Sequence, residues 1–372
     1  MKNKIFRLKP LILINFIMIF NGYVLSDIAH RANNNKIIER PIRAELALKI
    51  GSDKANEDFY RLVTFAVAKN GDIYILDSGN SRIQCFSKEG KFLFGFGRKG
   101  QGPGEFSNSA CKIKILSDGN IYVIDNSPRR IEVFSLEGKF LYLAKTSAWY
   151  NDIELLDNTY YLSSSLLKEG EKPIHVSRSL GKIDADFGIF VEPAVGILKQ
   201  ISQLPMPEPW RYYYGDVNFT KLVATNKSEL IFAQGYPYRL IKYDAKGKVL
   251  KDIMGDVDFD TYVHIKYKVD DFGTSIVTSP ADAAWIIHDL SIRGDNQLVV
   301  PYLNPEKKVY YIDIYDLDLN LMSRYRLLNV LTDIKKGDYA YQVRVDNDNN
   351  LYAMVLSKED YPRLFKYKLI FD

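Results

Sequence analysis

Two stretches of this 372-residue chain repeat one another in register, and that repeat limits the fold more than any other feature. VAKNGDIYILDSGNSRIQCFSKEGKFLFGFG spans residues 67–97, and ILSDGNIYVIDNSPRRIEVFSLEGKFLYLAK spans residues 115–145. Gly71 matches Gly119, Tyr74 matches Tyr122, Asp77 matches Asp125 and Gly90 matches Gly138, each pair 48 positions apart. Each unit reads as four strands separated by Asn-Gly, Asp-Gly or Glu-Gly turns, whose glycines accept a positive φ at low cost. A four-stranded unit recurring at this period is the mark of a β-propeller blade.

The rest of the chain repeats the theme more weakly. A third unit opens at LLDNTYYLSSS (155–165) and ends near GKIDADFGIF. A fourth spans 226–255, a fifth 293–327, and a sixth, 346–372, stops after its third strand. IRAELALKIG (42–51) supplies the missing strand from the other end of the chain, because a ring must close to protect its edges. The expected fold is therefore all-β: a six-bladed propeller of four-stranded antiparallel blades, closed by an N-terminal strand. The expected domain is one propeller over 41–372, preceded by a tail at 27–40.

GFGRKGQGPGEF (95–106) contains the pattern G-x-G-x-x-G at Gly95, Gly97 and Gly100. A phosphate loop needs a helix to start directly after the glycines, so that free N–H groups and the helix dipole hold the phosphate. Here strand-like CKIKIL follows instead. The glycines are read as the sharp connection from the outer strand of blade 1 to the inner strand of blade 2, with Phe106 as its anchor in the core.

On GQGPGEF (100–106), DGNIYVIDNSPRRIEVF (118–134) and the blade 1 copy NGDIYILDSGNSRIQCF, the chain resembles NHL-type six-bladed propellers, a TolB-like architecture. It is also similar to the exported six-bladed propellers of Bacteroidetes. The resemblance is specific over about residues 60–145 and architectural beyond, since later blades lose the Asp and Asn-x-Arg positions. Some six-bladed propellers are metal-dependent lactonases, esterases or lyases, so the resemblance also implies that alternative.

The N-terminus reads as an export signal. Lys2, Lys4, Arg7 and Lys9 precede the apolar run LILINFIMIF (11–20), and Val24 and Ser26 suit the −3 and −1 positions of a cut after Ser26. An uncleaved membrane anchor is the alternative; after cleavage no integral span is expected. The first 26 residues carry four basic and no acidic side chains, so the remaining 46 Lys and Arg balance 46 Asp and Glu. A near-neutral mature chain lacks the basic footprint of a nucleic-acid binder. The two cysteines, Cys85 and Cys111, are too few for a disulfide framework and read as small buried residues.

Candidate chemistry is sparse. The four histidines, His30, His175, His264 and His288, show no zinc-ligand spacing, and no Gly-x-Ser-x-Gly is present. No cofactor and no catalytic residue is assigned, although a calcium site of Asp, Asn and carbonyl ligands needs no histidine. Asp77 with Arg82, and Asp125 with Arg130, close the second strands of their blades. The pairs read as ties across tight turns, and their arginines also as candidates for a ligand face. Two long insertions, near 191–216 and 256–285, both join an outer strand to the next inner strand and so belong to one face. They carry Trp210, Arg211, Tyr212, Tyr213, Tyr214, Tyr262, His264 and Tyr267, residue types that anchor interfaces. The expectation is a monomeric, exported binding module for a protein or glycan partner in the envelope, at the cell surface or outside the cell.

Overall fold

The computed structural model describes residues 38–54, 56–61, 63–164, 172–189, 220–235, 238–257, 264–270, 273–279, 286–304, 306–332, 335, 338–357 and 360–371. The expected export signal, the whole of the first insertion and Tyr262 lie outside these residues. Glu39–Asp372 forms one compact unit.

Alternating apolar runs punctuated by positive-φ turns give four-stranded antiparallel sheets. Blade 1 is built from Val63–Val67, Ile73–Asp77, Arg82–Phe86 and Phe92–Phe96, from the axis outwards. Blade 2 runs from Ala110–Ile115 to Phe140–Lys145, blade 3 from Asp152–Leu156 to Ala185–Phe187, and blade 4 from Thr220–Ala224 to Val249–Met254. Blade 5 starts with the short strand Ser291–Arg293 and ends with Leu321–Leu328. Blade 6 has three strands of its own, Tyr339–Val345, Asn350–Leu356 and Arg363–Ile370.

The N-terminal strand Glu39–Ile50 completes the ring. Residues 43–50 pair antiparallel with Arg363–Ile370 as the fourth strand of blade 6. Residues 39–43 also pair in parallel with Leu321–Leu328, the outer strand of blade 5. One strand therefore fastens two blades at once.

Apolar packing follows the same ring. Among the described residues the core divides into six clusters, and each joins one blade to the next. Leu76, Ile83 and Cys85 of blade 1 meet Phe106, Ile113 and Val123 at the blade 2 boundary. Blade 6 returns to blade 1 through Tyr352 and Met354 against Phe65 and Phe59. Stacking of blade faces is how a propeller buries sheets that are open at their rims.

The glycine-rich stretch makes the connection expected of it. Gly95 sits in the outer strand of blade 1, and Arg98–Lys99 pairs in parallel with Glu105–Phe106. No helix follows; the inner strand of blade 2 begins at Ala110. Gly97 adopts φ 86°, and a Cβ there would lie 2.3 Å from the ring of Phe106, which is fully buried. Both cysteines are free thiols, and burial pushes Cys85 up to about 11.

Candidate functional site

Inner strands of a closed ring approach one another around its axis, so their side chains are the ones that several blades can share. The inner strand of blade 2 reads ACKIKI, and Lys112 and Lys114, two positions apart, share one side of it. Blade 3 faces them with Asp152 and Glu154 of DIELL. Blade 4 brings Lys221, blade 5 His288 and Asp289 just ahead of its first strand, and blade 6 Gln342 and Arg344 of YAYQVRV.

These groups bond across blades. Lys114 Nζ lies 3.2 Å from Asp152 Oδ1, pairs with Glu154 Oε1, and donates to the Leu222 carbonyl at 2.8 Å. Lys112 Nζ is 3.4 Å from the same Asp152 oxygen. The other oxygen, Oδ2, accepts the Leu222 N–H at 3.1 Å. Gln342 Nε2 donates to Asp289 Oδ2 at 3.1 Å, while its Oε1 accepts from Thr64 Oγ1 at 2.8 Å and from the Phe65 N–H at 3.1 Å. Arg344 Nη1 stands 3.7 Å from Asp289.

The electrostatics follow from crowding charge in a buried centre. Burial alone would raise the Asp152 carboxyl, but the ammonium groups of Lys112, Lys114 and Lys221 outweigh it and hold it below its ordinary value. Burial would likewise lower Lys114, and Asp152 and Glu154 reverse the sign. Burial raises Glu154 against the pull of Lys114. Lys221 goes the other way: burial first, then repulsion from Lys112, brings it down to about 8. Burial and the charge of Lys221 bring His288 down to about 3, so its imidazole is neutral at physiological pH.

Where the inner strands begin, a cavity of about 20 Å³ lies among Thr64, Cys111, Lys112, Asn151, Lys221, Tyr341 and Gln342. Its lining comes from or borders the inner strands of blades 1, 2, 3, 4 and 6, which places it on the axis. Asn151 Nδ2 is buried without a hydrogen-bond partner.

The Asp–Arg turns occupy the same face, further from the axis, because second strands end where inner strands begin. Asp77 Oδ1 accepts the Tyr60 N–H at 3.0 Å, and Asp125 Oδ2 accepts the Ser107 N–H at 2.9 Å, so each carboxylate holds the connection entering its own blade. Arg82 bridges Asp77 at 3.1 Å and Asp58 at 2.6 Å. Arg130 is buried: it pairs with Asp125 at 3.1 Å and with Glu132 at 3.1 Å. It also donates to the carbonyls of Gln101 at 2.7 Å, Gly100 at 3.2 Å and Glu105. Arg130 is thus the support beneath the glycine-rich connection, and Arg82, a quarter exposed, is the more accessible of the two.

Trp210, Arg211, Tyr212, Tyr213, Tyr214 and Tyr262 lie outside the described residues. His264 and Tyr267 fall on His264–Asp270, which pairs with Gly273–Ser279 as an antiparallel hairpin within the second insertion. The strands flanking both insertions end and begin on the cavity face.

Sequence reasoning missed the axial lysine–carboxylate cluster, whose signal was charge at alternate positions of strands too apolar to be solvent-facing. It also missed Ser164 Oγ, 3.0 Å from His175 Nε2 in blade 3. Among the described residues, no three His, Cys, Asp or Glu side chains are arranged to hold a metal ion.

Taken together, six stacked blades around a polar axis define a six-bladed β-propeller. Residues 63–189 match the model of a family, DUF5128, described as a 6-bladed beta-propeller. Among solved structures, a DUF4221-family protein from Bacteroides vulgatus is similar with a TM-score of 0.54 at 10% identity, over 90% of this chain and 100% of that one. A protein from Bacteroides fragilis described as exported is similar with a TM-score of 0.52 at 15% identity, over 88% of this chain and 96% of that one. No curated protein sequence matches the chain.

Proposed function

We propose that this chain is an exported binding module that engages a protein or glycan partner, in the cell envelope or outside it, through the face on which its inner strands begin. The observation that carries the reading is convergence. The axial cavity, the Asp–Arg turns and the strands flanking both long insertions all belong to that one face. Loops on one face of a rigid scaffold are where binding residues concentrate. Export rests on the N-terminal basic and apolar segment, and the similar Bacteroides fragilis protein being described as exported accords with it.

The test is capture from native envelope fractions with the mature chain, comparing wild type with the Trp210→Ala/Arg211→Ala double variant. A partner retained by wild type and lost by the variant is the expected result. Equal retention by both would remove the insertion from the interface. Stoichiometric metal on the wild-type preparation, with chelator-sensitive turnover of an ester or lactone, would replace the binding reading with a hydrolase.

A further inference from the structure

We propose that the axial cavity is a binding site for one small monovalent anion, of the size of chloride or of a carboxylate head group. The inference rests on the recognition reading in taking this face as the working one, and gives its axial end a ligand class.

Three observations carry it. The first is donor chemistry. Lys112 and Lys221 line the cavity, and an ammonium group offers hydrogen-bond donors and no acceptor. Asn151 adds an amide Nδ2 that is buried and unpartnered, a costly state that an acceptor in the cavity would relieve. Gln342 and Thr64, which also line the cavity, are engaged elsewhere. Gln342 spends its amide on Thr64, Phe65 and Asp289, and the Thr64 hydroxyl donates to Gln342.

The second is charge. Among the described residues, the axis holds Lys112, Lys114, Lys221 and Arg344 against Asp152, Glu154 and Asp289, an excess of one positive charge. Three carboxylates thus serve four cations: Asp152 is shared by Lys112 and Lys114, Glu154 pairs with Lys114, and Asp289 stands beside Gln342 and Arg344. Lys112 and Lys221 repel one another across the cavity, which contributes to the lowered basicity of Lys221. An anion between them screens that repulsion.

The third is size. A volume of about 20 Å³ exceeds what one water-sized occupant needs and falls far short of a sugar ring or a drug-sized ligand. A single halide ion matches that size, as does the carboxylate end of a larger molecule.

The test uses the mature chain. At constant ionic strength, with methanesulfonate as the balancing anion, thermal stability is titrated with chloride and with acetate. Bromide-soaked crystals locate the ion by anomalous scattering. Wild type is expected to show a saturable rise in melting temperature and a bromide peak between Lys112 and Lys221. Asn151→Asp, nearly isosteric but negative, and Lys221→Met are each expected to weaken the anion at least about tenfold, the order of one lost charge-assisted bond. Response to chloride alone identifies a halide site; tighter binding of acetate identifies a carboxylate pocket. No bromide peak in wild type, or titrations undiminished in both variants, overturns the proposal, and the wild-type crystal decides even if a variant fails to fold. Partner capture that survives Asn151→Asp would leave the recognition face standing and confine any failure to this cavity.

Discussion

Glu132 shows how one side chain can couple this fold to pH. It is fully buried on the third strand of blade 2, where Gly104 N–H donates to it at 2.8 Å and Arg130 lies beside it. Burial is the largest influence and pushes its carboxyl up to about 7, against the opposing pull of Arg130 and of the Gly104 bond. A carboxyl raised on folding favours the protonated folded state. Its contribution is complete below the unfolded value near 4.5 and is lost as pH rises through about 7. Glu132→Gln cannot ionise, so the stability difference between variant and wild type should move in the variant's favour between about pH 5 and about pH 8, by up to about 3 kcal/mol. Urea denaturation of both proteins at the two pH values measures it, and a constant difference would show that Glu132 does not titrate in this window. At this scale the sequence was least legible. Lys112, Lys114, Asp152 and Glu154 look like the solvent side of ordinary strands until the ring brings them onto one axis. The alternation of charge along otherwise apolar strands is visible locally, but their partners come from other blades, and no local pattern says which charges meet.

Elements were more legible, and the exceptions have physical reasons. The turn between third and fourth strands places Gly90, Gly138 and Gly247 at φ of 85°, 79° and 85°, each N–H bonding the carbonyl three residues earlier. In blade 5 Leu319 holds that position at φ 55° with the same bond to Asp316, and buries its side chain in the core between blades 4 and 5. The geometry persists where the glycine does not, which is why the repeat fades in sequence sooner than in structure. A register shift also recurs between third and fourth strands, at Cys85/Phe86, Val133/Phe134, Lys242/Tyr243 and Ile314/Tyr315. Gly97 combines positive φ with a closely packed ring, that of Phe106, as Gly138 and Gly247 do with Phe96 and Phe187. Gly97→Ala should therefore destabilise the protein by about 2–4 kcal/mol, combining the backbone penalty with displacement of a buried ring. An unchanged denaturation midpoint would mean that the connection relaxes freely.

For the whole molecule, the decisive feature is closure, and it was readable because a sixth unit short of one strand implies a donor elsewhere. What the sequence did not show is that Glu39–Ile50 serves two blades, pairing with the outer strand of blade 5 and the third strand of blade 6. Ile42, Ala44 and Ile50 are buried along it, the first two in the core between blades 5 and 6 and the last in that between blades 6 and 1. Full burial of a large aliphatic side chain contributes about 1.5–3 kcal/mol, so Ile42 and Ile50 alone account for several kcal/mol beyond the backbone pairing. Removing residues 1–51 should lower stability by at least about 3 kcal/mol and expose the edge of Arg363–Ile370, an invitation to self-association through strand pairing. A synthetic peptide of residues 39–51 should restore both the melting temperature and the monomer, since it supplies the same pairing in trans. Calorimetry and light scattering on the truncated chain, with and without peptide, read the two effects separately. A truncated chain that melts as wild type and stays monomeric would show that the ring holds through its blade-to-blade cores alone, with the N-terminal strand laid on afterwards.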